Sequence, residues 1–280
     1  MIRLHLCTIS FRHHLVSLPE LAGWAGAQGF DGIELWGVHA RHLADQPSLD
    51  GQWLQARGLT VPMISDYLPL EGNEADAIRH TRDLCRLARH WRAPKVRTFA
   101  GQQASAGMSE DQRRKVTRRL GVLAQCVADE GLSLMLETHP GTLADTVDST
   151  LALLADADHP ALGINFDVLH VWESGADPCT ALDQLAPWVR HCHFKNISHF
   201  QQLDVFAPAN VYSPAGCREG MVPVLECASA SPPLRTSPAT WRRPPGAAPL
   251  PPSPPRFPPP PSPFLATDRP TFPHLTATPL

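Results

Sequence analysis

Short apolar runs of strand length recur along most of the chain, separated by segments with helical spacing. The runs begin near Arg3, Gly32, Thr60, Lys95, Leu132, Leu162 and Val189. Between the fourth and fifth, Val116, Leu120, Leu123 and Val127 fall three to four residues apart, the stripe of an amphipathic helix. Start and stop signals bracket these segments. Ser17–Glu20 and Ser109–Gln112 carry the capping-box spacing, Asp177–Pro178 reads as an N-cap before a first-turn proline, and Gly131 as a stop. Strand then helix, seven times at a period of about 30 residues, predicts parallel strands with helical crossovers. Eight such units make a (β/α)8 TIM barrel, so the expected fold is α/β, a barrel of this type that is incomplete at seven units. An open doubly wound sheet is the alternative, but no G-x-G-x-x-G follows any strand.

The pattern stops near Cys227, which divides the chain into an incomplete barrel domain, residues 1–227, and a tail, residues 228–280. From Pro232 to Leu280, 18 of the 49 residues are proline, and none after Glu226 is glutamate. Such a stretch cannot continue a helix or a central strand, so disorder or polyproline II is expected there. Two readings of the tail stand: a docking segment for proline-binding modules, or a terminus without a partner.

Composition narrows the function. A formal net charge of −3 gives no basic field for nucleic acid. No run approaches the roughly 18 apolar residues of a membrane span. The opening MIRLHLCTIS reads as a first strand and not as a leader. Seven cysteines without a C-x-x-C pair suit reduced thiols, and hence a cytoplasmic location. The expected partner is a small-molecule substrate; oligomeric state is left open.

In a parallel barrel the chemistry sits where strands end. The candidate strands end in GIELW with Glu34, MISDYL with Tyr67, KVRTFA with Arg97, LETHP with Glu137 and His139, GINFDVLH with Asp167 and His170, and HCHFKN with His191, His193 and Lys195. Singly, each has an ordinary explanation: Glu34 a salt-bridged rim residue, Tyr67 a half-buried aromatic, Arg97 a carboxylate's partner, His191 structural. Together they place several charges at one barrel mouth, where unpaired charge is costly. A divalent cation shared by Glu137, Asp167 and His193 answers that cost; two carboxylates and an imidazole suit Mn²⁺, Mg²⁺ or Co²⁺, and also Zn²⁺. His139 faces the same space as Glu137 and is a ready general base. Arg97 and Lys195 can hold an anionic group.

CTISFRH, GIELWG, MISDYL, VRTFAGQ, LETHP, DVLHVWESGADP, HFKNIS and GMVP, in this order from about Ile2 to Glu226, resemble the metal-dependent 3-dehydroshikimate dehydratases of the xylose-isomerase-like barrels. The resemblance implies dehydration of 3-dehydroshikimate to 3,4-dihydroxybenzoate (protocatechuate). It implies Glu137, Asp167 and His193 as metal ligands and His139 as the base. Tyr67, Arg97, His170 and Lys195 would touch substrate, with Tyr67 and Arg97 also in the catalytic set. The segment from Leu203 to Val222 could then close over the site.

One departure stands against that family. Its eighth strand brings a fourth ligand, a glutamate, and the match fades past Cys227; Glu226 is not placed to be that ligand. Strands one and seven would keep unpaired edges. An out-of-frame or mis-spliced tail on an ordinary gene explains the break, and weak stability and low activity are then expected. A sugar isomerase or epimerase of the same barrel class, and an inactive copy acting through its tail, are the alternatives.

Overall fold

In the computed structural model the described residues are 3–222, so the predicted tail, Glu226 and any eighth strand lie outside them. Seven strands run β1 His5–Cys7, β2 Gly32–Trp36, β3 Ile64–Ser65, β4 Lys95–Thr98, β5 Ser133–Glu137, β6 Leu162–Asp167 and β7 Val189–His193. They lie side by side in chain order, and every neighbouring pair is parallel. Sequential order is the walk around a barrel; the doubly wound alternative needs a reversal of order that is not there. The sheet curls, because His191 on β7 reaches Glu34 on β2 at 2.9 Å. Among the described residues no ladder joins β7 to β1.

Helices fill the crossovers: α1 Leu18–Ala27, α2 Gly37–Ala44, α3 Gly51–Gln55, α4 Glu74–His90, α5 Glu110–Asp129, α6 Val147–Ala157, α7 Val168–Glu173, α8 Pro178–Leu185 and α9 Pro208–Val211. Their starts follow the sequence signals. Ser17 and Ser109 each close a reciprocal capping box, onto Glu20 and Gln112. Asp177 accepts from the Thr180 amide, with Pro178 at the first position of α8. Past the end of α5, Gly131 takes a φ of 72°, the left-handed turn that a side chain resists. Gly32 is required for another reason: a Cβ there would lie 2.0 Å from the Thr60 carbonyl, against which β2 packs.

The core lies between strands and helices. Ile33 and Leu35, Val96, Leu134 and Leu136, and Leu162, Ile164 and Phe166 project outward into one apolar cluster with Leu21, Leu84, Leu120, Leu123, Leu153 and Leu185. Strand residues alternate sides, so the intervening positions face the barrel interior. No helix of the described residues is long and apolar enough to cross a membrane.

Candidate active site

The inner face is polar. Glu34, Arg97, Glu137, Asn165 and Asp167 are buried, and His191 and His193 are nearly so. Register explains why they meet. Glu137 lies opposite Asn165, Asn165 opposite His191, and Asp167 opposite His193. Residues from three neighbouring strands, β5, β6 and β7, thus project to similar heights in one lumen.

Two linked clusters result. In the first, Arg97 Nε stands 2.9 Å from Glu137 Oε2, and Lys195 Nζ 2.9 Å from Asp167 Oδ2. Both carboxylate oxygens are buried, yet neither receives an aligned protein hydrogen bond. Lys195 also donates to His170 Nε2 at 2.7 Å. Lysine has no acceptor, so His170 carries its hydrogen on Nδ1 and donates it to Glu173, 2.7 Å away. Ligand-capable atoms of Glu137, Asp167 and His170 all lie within 4.8 Å of one another. In the second cluster Glu34 meets His191 and His193, again within 4.8 Å. His193 joins the two: its Nε2 lies 3.0 Å from Glu34 Oε2 and its Nδ1 3.5 Å from Glu137 Oε1.

The electrostatics follow from this packing. Burial pushes the Glu137 carboxyl up, but Arg97, His193 and Lys195 hold it well below the usual range. Asp167 is likewise lowered, by Lys195 and His170 against burial. Glu34 is held well below by His193 and His191. Burial opposes charge on His193, but Glu34 and Glu137 on either side outweigh it and raise its pKa to about 10. Three carboxylates therefore face three cations, Arg97, Lys195 and the His193 imidazolium.

His139 lies just past β5, its ring 4.2 Å from Phe99 and 4.4 Å from His170 between centroids. Its Nδ1 is 2.7 Å from the Pro140 carbonyl, which only accepts, so the hydrogen sits on Nδ1 and Nε2 keeps a lone pair. Burial and His170 lower its pKa to about 4. The ring lines a cavity of about 650 Å³ with Tyr67, Phe99, His170, Phe206 and Tyr212. The segment after β7, a 3₁₀ helix Phe200–Phe206 followed by α9, forms one side of it. Tyr67 and Tyr212 exchange a hydrogen bond of 2.7 Å between hydroxyls. The Arg97 guanidinium sits 5.1 Å from the Tyr67 ring and 4.8 Å from that of Phe99.

The residues singled out from strand ends are thus gathered in one lumen and its mouth. The expected triad is distributed differently from its sequence reading: Glu137 and Asp167 group with His170, and His193 groups with Glu34. Glu34 is no rim residue; it is 2% exposed. Sequence reasoning missed Asn165, Ser65, Glu173 and Tyr212. Asn165 carried a usable signal, alternating with Asp167 on β6; Tyr212 lies in a loop without period and carried none.

A family model of xylose isomerase-like TIM barrels matches residues 23–220. The 3-dehydroshikimate dehydratase of Bacillus anthracis is 46% identical over 227 residues, 79% of this chain and 81% of that protein. A crystal structure of AsbF, involved in petrobactin synthesis in Bacillus anthracis, superposes with a TM-score of 0.77 at 45% identity, covering 80% of this chain and 84% of that one. The IolI protein, crystallised with a zinc atom, shares the fold at 13% identity and a TM-score of 0.62 over 71% of this chain and 74% of that one. The chain belongs to the xylose isomerase-like TIM barrels and, within them, to the 3-dehydroshikimate dehydratases.

Proposed function

We propose that the chain dehydrates 3-dehydroshikimate to 3,4-dihydroxybenzoate, with His139 as base and a divalent cation held by Glu137, Asp167 and His193. The observation that carries this reading is the pairing of an open His139 Nε2 with the two buried carboxylates. Buried oxygens of Glu137 and Asp167 without aligned donors suit a hard cation, which is satisfied by charge and not by N–H direction. Mn²⁺, Mg²⁺ and Co²⁺ fit the oxygen-rich set best, and Zn²⁺ is compatible with it. Such an ion, when bound, supplies Lewis acidity toward a ketone oxygen.

The protein groups do the rest. His139 Nε2 removes the proton from the ring carbon beside the ketone, its ring packed against His170, which is clamped between Lys195 and Glu173. The β-hydroxyl leaves with one proton as water. A second ring proton then moves to the ketone oxygen and completes the aromatic ring. Arg97 and Lys195 supply the positive charge for the ring carboxylate, and Tyr67 with Phe99 supplies a flat apolar wall beside it. The segment from residue 203 to 212 limits water on the open side.

The test is direct. Purified protein with Mn²⁺, Mg²⁺ or Co²⁺ is given 3-dehydroshikimate, and catechol absorbance is followed. Product formation that stops on chelation and returns with metal supports the reading. Turnover indifferent to both chelation and His139→Gln would overturn it.

A further inference from the structure

Glu34 has no part in the reaction as derived, yet it is the most heavily solvated carboxylate of the lumen by protein groups. His191 Nε2 approaches one oxygen at 2.9 Å and His193 Nε2 at 3.0 Å. Ser65 Oγ donates to the other oxygen, and Cys7 Sγ lies 3.6 Å from it. Register puts these donors in place, since Cys7 is opposite Glu34 and Ser65 opposite Trp36. The carboxylate is therefore held from its neighbours β1 and β3 and, across the lumen, from β7.

We propose that Glu34 is a positioning residue for His193: it takes the Nε2 hydrogen and so leaves Nδ1 as the nitrogen presented to Glu137 and the cation. This rests on the cation reading above. Two further contacts support it. Nδ1 is 3.5 Å from Glu137 Oε1, so the ring's other nitrogen faces the first cluster. The Asn165 amide nitrogen lies 3.1 Å from Nδ1, a contact that becomes a hydrogen bond once the imidazolium gives up its Nδ1 hydrogen, as it must to receive a cation. A carboxylate on the far nitrogen fixes both tautomer and ring angle of a ligating histidine, and makes it a better donor to the metal. A second ion seated among Glu34, His191 and His193 is disfavoured, because it would strip Glu34 of donors already in place.

The experiment is a Co²⁺ titration of the full chain, read by calorimetry and by the visible spectrum of bound Co²⁺, with ¹⁵N spectra of the metal-free protein. The parent is expected to bind one ion, and its His193 to show a protonated, hydrogen-bonded Nε2. Glu34→Gln is expected to weaken Co²⁺ by about 10- to 100-fold and to alter the Co²⁺ spectrum. Glu34→Asp keeps the charge and is expected to recover part of that affinity, which mere loss of packing would not restore. Equal affinity in Glu34→Gln within twofold overturns the proposal, as does a second ion that Glu34→Gln removes. Glu137→Gln separates the two readings. If it binds Co²⁺ like the parent, the cation reading fails on its own, and the ¹⁵N spectra still judge Glu34: a bare Nε2 on His193 overturns its role.

Discussion

The two sides of the same strands obey opposite rules. On β5, Leu134 and Leu136 face the helices and are fully buried in the apolar cluster, while Glu137, one residue on, faces the lumen. On β6, Leu162, Ile164 and Phe166 face out, and Asn165 and Asp167 face in. The inner layers of such barrels are ordinarily filled by branched apolar side chains. Here the upper lumen holds three carboxylates against Arg97, Lys195 and a charged His193. Desolvating those groups costs several kcal/mol per ion, and mutual attraction only offsets it. Stability is thus carried by the outer face, and the inner face gives up stability to hold a reactive geometry.

The largest effect expected from breaking that division is on the inner side. His139→Gln removes the only lone pair assigned to proton abstraction and should lower kcat/KM by about 10²- to 10⁴-fold, with the unfolding midpoint barely moved. The pH profile sharpens the point. Because the folded pKa of His139 is about 4, its base form is full at neutral pH and is lost only as pH falls toward 4. The acid limb of kcat/KM should therefore lie below the ordinary histidine range; a limb centred near 6.5 would assign the base elsewhere. The same depression makes His139 stabilising above its unfolded pKa, and that contribution is lost as pH falls from the ordinary value to about 4.

Next come the ion pairs. Arg97→Ala leaves Glu137 buried without its main partner and should destabilise by about 3–5 kcal/mol. Replacing both, Arg97→Met with Glu137→Leu, should be neutral or stabilising by about 1–4 kcal/mol, while abolishing turnover. Urea unfolding of the two variants beside the parent checks this. If the double variant is as unstable as the single one, the lumen charges contribute net stability and the division of labour fails.

On the outer face, Leu136→Ala should cost about 2–5 kcal/mol, because the side chain has no exposure and lies in the apolar cluster. Activity per folded molecule should be unchanged. A fall in kcat without a fall in stability would show that the outer layer tunes the site directly.

These two faces were unequally legible in the sequence. Period and caps gave the strands and helices because the outer face is apolar wherever a helix covers it; the start near Val189 and the box at Ser109 coincide with β7 and α5. The strand-end rule also brought Glu137, His139, Asp167 and His193 to one place. What it could not give was the partner of each group. Glu34 read as a rim residue because a carboxylate after an apolar pair looks the same from outside or inside a barrel. Its burial depends on the curl of the sheet, which brings His191 and His193 across from β7, 157 and 159 residues away in sequence. Tyr212 was illegible for a different reason: its place is set by the path of an aperiodic segment, held where Arg12 Nε donates to the Val211 carbonyl at 2.5 Å.

That segment adds a third kind of surface, neither core nor lumen, and it offers the smallest of the expected effects. Tyr67 projects from the end of β3, Tyr212 from the segment after α9, and their hydroxyls meet at 2.7 Å over the cavity. Burial and Tyr67 raise the Tyr212 pKa, so its hydroxyl stays neutral across the working pH range. Tyr212→Phe removes one hydrogen bond and keeps the ring beside Trp36. Its cost should be about 0.5–1.5 kcal/mol, seen as a rise in KM of roughly 2- to 10-fold with kcat held, because the contact orders the wall against which substrate binds and touches no reacting atom. A fall in kcat at constant KM would move Tyr212 from the wall of the cavity into the chemistry, and would mean that the reactive groups are not confined to the strand ends.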